Sequence, residues 1–221
     1  MESISTYQTL PNSRKPIGKT VSPLANSFSL VEMNTHLRFL IMDCPTDSTL
    51  SLYLKEFARL NVTDVVRVCE PTYNTEKLTS NGVNVHPPAN VIKGWIQLVN
   101  ARDVESAKKI QVQPVPTTIA VHCVAGLGRA PVLVAVALIE QGLDPIDVIE
   151  LIRRKRRGAF NNKQISYLVD RYKRSSSTKA KTASNKASSG AASSMSLQGS
   201  EKTGKDSSSK SFFKKMFGGS H

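Results

Sequence analysis

The stretch VHCVAGLGRAP, residues 121–131, places one cysteine, Cys123, between two apolar segments. The β-branched run at residues 117–121 predicts a strand, and the long apolar segment after Pro131 predicts a helix. Proline suits the first turn of a helix, where an N–H group needs no partner within the helix. Cys123 is therefore expected where a strand ends, below the free N–H groups of a helix N-terminus.

The loop after Cys123 has the composition of a phosphate-binding site. Free N–H groups and the positive end of a helix stabilise anions, both a bound phosphate and a thiolate. Gly126 and Gly128 let the loop turn its N–H groups inward without a Cβ clash, and Arg129 can bind two phosphate oxygens. The alternative is a structural cysteine that ends a core strand. The glycines, the arginine and the strand–helix frame together favour a nucleophile in a phosphate-binding loop.

Composition narrows the class of protein. The 221 residues carry a net charge of +13 and are 39% hydrophobic, which is enough for one domain with a core. Cys44, Cys69 and Cys123 are widely spaced, so we expect neither a zinc site nor a disulfide scaffold, and no other cofactor. The N-terminus lacks a signal-peptide core and no segment reaches membrane-spanning length, so we expect a cytoplasmic protein.

Three segments differ in composition. Residues 1–27 are polar with scattered prolines, which predicts a disordered arm. Residues 28–174 carry all the strong apolar periodicity and are predicted to form the folded domain. Residues 175–221 are rich in serine and lysine. Because they have few large apolar groups to offset the entropy cost of ordering, they predict a disordered basic tail.

Strand and helix patterns alternate along the central segment. Strands are predicted at residues 37–41, 65–69, 83–85 and 117–121, and helices at about 49–61, 89–110, 130–141, 145–156 and 162–173. This alternation predicts an α/β fold with a mostly parallel central sheet and helices on both faces. Ligands bind beyond the carboxyl ends of the strands in such sheets, and both Cys69 and Cys123 are expected at strand ends.

The segment HCVAGLGRAPVLVAVALIE, residues 122–140, resembles the signature of the phosphatases of regenerating liver, the type IVA protein tyrosine phosphatases. The resemblance extends to RFLIMDCPTDSTL (38–50), VTDVVRVCEPTYNTEKL (62–78) and IRRKRRGAFNNKQISYL (152–168), and it covers roughly residues 30–172. It implies a cysteine-dependent, dual-specificity-like protein tyrosine phosphatase fold. It also implies hydrolysis of phosphate esters on a phosphorylated protein or a phosphoinositide.

The resemblance implies roles for individual positions. Cys123 would attack phosphorus and carry a phosphocysteine intermediate, while Arg129 would clamp the phosphoryl oxygens. The backbone N–H groups that would bind those oxygens belong to Val124, Ala125, Gly126, Leu127 and Gly128. Ala130 matches the family but lacks the hydroxyl with which most cysteine phosphatases help the thiolate leave. Breakdown of the intermediate is therefore expected to be slow.

Cys69 matches the second cysteine of the family, which forms a reversible disulfide with the nucleophile. The resemblance therefore implies a redox-regulated disulfide between Cys69 and Cys123. The alternative is that Cys69 only fills the core. Sequence sets no distance between the two sulfur atoms, so we keep the redox role as the favoured expectation.

The chain departs from the family in the general-acid loop. Family members have a WPFDDG-like stretch after the strand at 83–85, and its aspartate protonates the leaving oxygen. Here the sequence runs GVNVHPPAN, residues 82–90, and no Asp or Glu lies between Lys77 and Arg102. General acid catalysis contributes about 10²–10⁴-fold, so slow turnover is expected. His86 either supplies a substitute proton or, as we favour, caps the shortened connection.

The ends and the charge distribution bear on partners. Family members end in a prenylation box, but this chain as written has no cysteine after Cys123, so prenylation is not expected. SFFKKMF, residues 211–217, interleaves aromatic residues with lysines, which suits either reversible contact with an anionic membrane surface or an unstructured end. The basic run at 153–157 has no stacking aromatic residues beside it, so we expect a solvated or a substrate- and lipid-facing patch and no nucleic-acid partner.

Two functions remain open from the sequence. The first is a slow protein tyrosine phosphatase, a phosphoric monoester hydrolase that uses Cys123 and Arg129. The second is a pseudophosphatase, a binding module that engages a partner through the active-site face. The resemblance suggests a cyclin-M magnesium transporter as such a partner.

Overall fold

A five-stranded sheet forms the centre of the structure, built from short segments rich in β-branched and large apolar residues. The computed structural model describes residue 24 and residues 27–86, 91–112 and 114–174. The strands are β1 (Phe28–Glu32), β2 (Leu37–Met42), β3 (Val62–Arg67), β4 (Asn84–His86) and β5 (Thr117–His122). Their order is β1-β2-β5-β3-β4, with β1 antiparallel to β2 and the other pairs parallel. The predicted mostly parallel sheet is confirmed.

In the described part of the chain, six helices connect and cover the strands. They are α1 (Leu50–Arg59), α2 (Glu76–Thr79), α3 (Val91–Lys109), α4 (Arg129–Glu140), α5 (Pro145–Lys155) and α6 (Asn162–Ser166), which continues into a π-helical turn (Tyr167–Arg171). Asp144 caps α5 by accepting a 2.8 Å hydrogen bond from the Ile146 N–H, with Pro145 in the first helical position. No helix in the described part of the chain is long and apolar enough to cross a membrane.

Both faces of the sheet are buried under helices. On one face, Phe39 and Ile41 of β2 join a core with α3 and with α4, a helix buried along nearly its whole length. On the opposite face, Leu40 and Met42 pack into a second core with α1, to which Phe57 belongs. Successive residues of β2 thus serve opposite cores, as the period of two of a strand requires. The predicted fold class, with helices on both faces, is confirmed.

Several predicted boundaries are wrong. The strand predicted at 65–69 spans Val62–Arg67, so Cys69 lies two residues beyond its end. The helix predicted at 162–173 changes at Tyr167 into a π-helical turn, in which the Tyr172 N–H donates to the Tyr167 carbonyl at 2.8 Å. Strand β1 and the single-turn α2 were not predicted. The predicted disordered segments, 1–27 and 175–221, lie outside the described residues, apart from residues 24 and 27.

Candidate active site

Cys123 directly follows β5, the central strand of the sheet, and comes before α4. Its side chain is buried, with 4% exposure. Strands β2 and β3 flank β5 in parallel, so the carboxyl ends of all three meet at one edge. The predicted strand–loop–helix around Cys123 is confirmed, and the loop is surrounded by segments from neighbouring elements.

Four consecutive carbonyl groups of the loop have partners outside it. The Val124 carbonyl accepts a 3.0 Å hydrogen bond from the Cys44 N–H, just beyond β2. The Leu127 carbonyl accepts a 2.8 Å bond from the Phe160 N–H, in the segment after α5. The Ala125 and Gly126 carbonyls both accept from the Arg156 guanidinium, at 3.0 and 2.8 Å.

These bonds fix where the N–H groups of the loop point. In a trans peptide the carbonyl and the following N–H point in opposite directions, and the described residues contain no cis peptide bond. With the carbonyls of residues 124–127 turned outward, the N–H groups of residues 125–128 face the inner side of the loop. None of these N–H groups has a hydrogen-bond acceptor among the described residues. The loop is a nest of free donors suited to an anion.

Arg156 is a site residue that sequence reasoning missed. It ends α5 as the C-cap, in extended rather than helical geometry, and is 8% exposed. Its third hydrogen bond goes to the Ser27 carbonyl at 3.0 Å. Burial lowers the pKa of the guanidinium, which the nearby Asp43 and Cys123 oppose. The expectation of a solvated or ligand-facing basic patch at 153–157 is therefore wrong for Arg156, which supports the loop from behind.

Two glycines allow the loop to fit this close surround. Gly126 has φ +63°, and a Cβ there would lie 2.4 Å from the Met42 carbonyl oxygen and 2.6 Å from Arg156. A Cβ on Gly128 would lie 2.9 Å from the Gln164 side-chain nitrogen. Gln164 is itself held by a capping box with Asn161 at the start of α6. The predicted need for glycine at both positions has this steric basis.

Arg129 opens α4 and is half-buried. Its guanidinium has no hydrogen bond or ion pair with any described residue. Its charge reaches Cys69, whose pKa it lowers against the larger effects that raise it. An unpaired cation beside a nest of free N–H groups can bind an anion with its planar fork.

His122, the last residue of β5, is fully buried and bonded on both ring nitrogens. Its Nε2 lies 2.8 Å from the Tyr73 hydroxyl, and its Nδ1 lies 3.8 Å from the Cys69 sulfur and 3.4 Å from the Cys123 carbonyl. Tyr73 in turn lies under the Arg67 guanidinium, 5.6 Å from it. This buried chain fixes the ring directly before Cys123 and leaves it little freedom to move.

All three cysteines are free thiols. The Cys69 sulfur lies 3.7 Å from the sulfur of Cys44, and the predicted disulfide between Cys69 and Cys123 stays a prediction. Cys44, Cys69 and His122 bring their ligand atoms within 4.8 Å of one another, a set that can hold a metal ion. Its members are separated by 25 and 53 residues along the chain, so no local cysteine motif in the sequence could predict the cluster.

His86, the proposed substitute acid, has another partner. Its Nε2 lies 2.8 Å from the carboxylate of Asp64, which also binds Arg102 at 2.7 and 3.0 Å. In the register of β3 and β4, His86 pairs with Val66, and Asp64 lies two residues before Val66. The His86 ring therefore points back along the sheet, away from the carboxyl ends of the strands. This contact favours the structural alternative that the sequence left open.

The sheet order and the CVAGLGR loop between β5 and α4 define the fold of the cysteine-dependent, dual-specificity-like phosphatases. The chain is 49% identical over 156 residues to a Dictyostelium discoideum protein named probable protein tyrosine phosphatase type IVA A, covering 66% of this chain and 89% of that protein. It is 46% identical over 142 residues to human protein tyrosine phosphatase type IVA 3, covering 60% and 78%.

Among solved structures, one of a protein tyrosine phosphatase from Leishmania major is 40% identical, with a TM-score of 0.58, and covers 66% of this chain and 99% of that one. No family model matches the chain. On the identity and coverage of these relatives, the chain belongs to the type IVA protein tyrosine phosphatase family.

Proposed function

We propose that the chain hydrolyses phosphate esters by transferring the phosphoryl group to Cys123. The single observation that carries the proposal is the set of four outward carbonyls, which leaves four consecutive N–H groups free beside a buried cysteine. Preorganised donors of this kind stabilise the charge that develops on the phosphoryl oxygens during transfer. The type IVA relatives support a protein phosphatase, with a phosphoprotein or a phosphoinositide as substrate.

The proposed reaction has two steps. The Cys123 thiolate attacks phosphorus, the ester bond breaks, and the alcohol oxygen leaves with the electron pair of that bond. The N–H groups of the loop and the Arg129 guanidinium hold the three remaining oxygens. Water then attacks the phosphocysteine, inorganic phosphate leaves, and the thiolate returns. Ala130 offers no hydroxyl to help the thiolate depart, so the second step is slow.

The segment that carries the general acid in the family has no carboxylate in this chain. Residues 78–101 contain no Asp or Glu, and His86 is bound to Asp64. Without a general acid, the leaving oxygen must depart as an anion, at a cost of about 10²–10⁴-fold in rate. We therefore expect efficient use of activated aryl phosphates and weak use of phosphotyrosine.

The test compares the wild type with Cys123→Ser on an activated aryl phosphate. We expect turnover by the wild type and none above background by the variant. Equal rates in the two proteins would overturn the proposal. A burst of one equivalent of phenol with no further turnover would instead identify a pseudophosphatase that is trapped as phosphocysteine.

The rim of the loop also bears on partners. Val124 and Leu127 are 64% and 39% exposed, so the loop presents two apolar side chains to solvent. They support the finer proposal that a partner such as a magnesium transporter binds the active-site face. A Leu127→Asp variant tests it, since binding should weaken while the variant stays folded. Membrane contact through residues 211–217 concerns a segment outside the described residues and stays a prediction.

A further inference from the structure

Cys44 and Cys69 lie next to each other at the edge of the sheet where β5 ends and the phosphate-binding loop begins. Each is the second residue after its strand, β2 for Cys44 and β3 for Cys69, and these strands flank β5. Their sulfur atoms are 3.7 Å apart. The Cys44 N–H also holds the Val124 carbonyl, so this pair is joined directly to the phosphate-binding loop.

The two sulfur atoms have different surroundings. Cys44 is half-buried and its sulfur lies 2.8 Å from the Thr72 hydroxyl, whereas Cys69 is 8% exposed. A hydrogen bond from the Cys69 thiol, with smaller contributions from His122 and Thr72, holds the pKa of Cys44 well below its usual range. The same bond raises the pKa of Cys69. Cys44 is thus the sulfur that peroxide reaches first, and Cys69 is the more deeply buried sulfur beside it.

We propose that Cys44 and Cys69 form a disulfide under peroxide, and that this bond keeps Cys123 reduced. The sulfur atoms must approach from 3.7 Å to about 2.05 Å, a movement that two side chains beyond strand ends can supply. Cys69 has a single sulfur, so a bond to Cys44 excludes the bond to Cys123. The protective part of the proposal rests on Cys123 being the nucleophile of the proposed function.

The oxidation proceeds in two steps with hydrogen peroxide as the oxidant. The Cys44 thiolate attacks one peroxide oxygen, the O–O bond breaks, and hydroxide leaves, which gives a sulfenic acid. The sulfur of Cys69 then attacks the sulfenic sulfur, the S–O bond breaks, and water forms with the Cys69 proton. Two thiol sulfurs have lost two electrons, and the peroxide has become water and hydroxide.

A second route reaches the same bond when Cys123 is oxidised first. A disulfide between Cys69 and Cys123 presents the Cys69 sulfur to the Cys44 thiolate. Attack on that sulfur forms the Cys44–Cys69 bond and breaks the Cys69–Cys123 bond. The electron pair leaves on Cys123, where the free N–H groups of the loop stabilise the departing thiolate. Cys44 then acts as a resolving thiol that returns the nucleophile.

The test maps disulfides in the full reduced chain after hydrogen peroxide, with a chelator present so that no metal occupies the thiols. Free thiols are alkylated and peptides are identified by mass spectrometry without reduction. We expect a Cys44–Cys69 linkage, with Cys123 carrying the alkyl label. In Cys44→Ser, which keeps a hydroxyl for Thr72, we expect Cys123 to be oxidised several-fold faster than in the wild type.

A Cys69–Cys123 linkage as the main wild-type product overturns the proposal. So does loss of the Cys123 label at equal rates in the two proteins, or oxidation of Cys44 without any disulfide. Disulfide mapping does not depend on enzyme activity. Failure of the proposed phosphatase function is detected separately, when the fully reduced protein shows no Cys123-dependent hydrolysis. If the wild type and Cys44→Ser both hydrolyse substrate, the activity that remains after peroxide is expressed as a fraction of the same protein's activity before treatment.

Discussion

The guanidinium Nε of Arg156 donates a 2.8 Å hydrogen bond to the carbonyl oxygen of Gly126, 30 residues earlier in the chain. A second bond from the same side chain reaches the Ala125 carbonyl at 3.0 Å. An arginine that closes one helix therefore determines how the loop before another helix presents its N–H groups. The charge of Arg156 faces the back of the loop, so its role is to position the donors.

Removing that support should uncouple the loop from α5. Arg156→Ala is expected to lower kcat/KM by about 10²-fold, since small misplacements of catalytic groups cost that much. It should also reduce the free energy of unfolding by about 3 kcal/mol, because buried carbonyls lose charged donors. Arg157→Ala, at the exposed neighbouring position, is the control. Steady-state kinetics and chemical denaturation measure both effects, and equal kinetics for the two variants would count against this role.

Alanine substitutions at two glycines with positive φ distinguish the cost of backbone strain from the cost of a steric clash. Gly126 has φ +63° and Gly82 has φ +75°, but only at Gly126 would a Cβ meet backbone atoms, while Gly82 has open space within 4 Å. Both alanine variants should lose about 1 kcal/mol of stability from the left-handed conformation. Only Gly126→Ala should also abolish phosphate or vanadate binding, as measured by calorimetry. Normal oxyanion affinity in Gly126→Ala would mean that the loop does not need its close surround.

Tyr73→Phe should disturb the site through His122. The change removes the hydroxyl 2.8 Å from the buried His122 Nε2 and leaves that nitrogen unpaired, at a cost of about 1–3 kcal/mol. Tyr172→Phe is a matched control, since that hydroxyl bonds to Glu140 at 2.5 Å outside the loop. We expect both variants to lose thermal stability and only Tyr73→Phe to change kcat. An unchanged kcat in Tyr73→Phe would show that His122 does not position the loop.

Asp64 gives the fold an acid-sensitive ion pair. Burial acts to raise the pKa of this carboxyl, but hydrogen bonds from His86, Arg102 and Thr63 outweigh it and hold the pKa well below the usual range. The carboxylate therefore stabilises the folded state fully above its unfolded pKa of about 4, and the contribution is lost as the pH falls through the folded pKa. Asp64→Asn should lose about 3 kcal/mol at pH 7. The gap to the wild type should narrow below pH 4 in urea unfolding; a constant gap would contradict this.

The lack of a carboxylate in residues 78–101 predicts how the rate depends on the leaving group. Across aryl phosphates, log kcat/KM should fall steeply as the pKa of the leaving phenol rises, because the phenolate departs unprotonated. His86→Ala should leave that slope unchanged, since His86 is bound to Asp64. A shallow slope in the wild type that steepens in His86→Ala would instead identify His86 as the acid.

Local patterns were enough to predict the centre of the fold and the position of the loop. A β-branched run, two glycines and a long apolar helix occur within 24 residues, from Thr117 to Glu140, so every element of the motif is visible in the sequence. Strand β1 was not predicted because its five residues form an edge strand with only two buried positions. Even the apolar residue Leu30 is only partly buried there. Short edge strands carry too little periodicity to be recognised.

The supporting residues could not be predicted, because their contacts are remote in sequence. Arg156 sits among five consecutive cations, and only the extended geometry at the end of α5 turns this one inward. Cys44 and Cys69 meet because β2 and β3 end at the same edge of the sheet on either side of β5. Tertiary topology, which spacing along the chain does not encode, creates both arrangements.

Acid-quenched mass spectrometry of the protein mixed with an activated aryl phosphate tests the central claim most directly. We predict that one phosphoryl group is found on the peptide that contains Cys123, that it appears within the first turnover, and that Cys123→Ser lacks it. A phosphoryl group on any other residue, or Cys123-dependent turnover with no phosphopeptide under rapid quenching, would contradict the claim that Cys123 is the nucleophile.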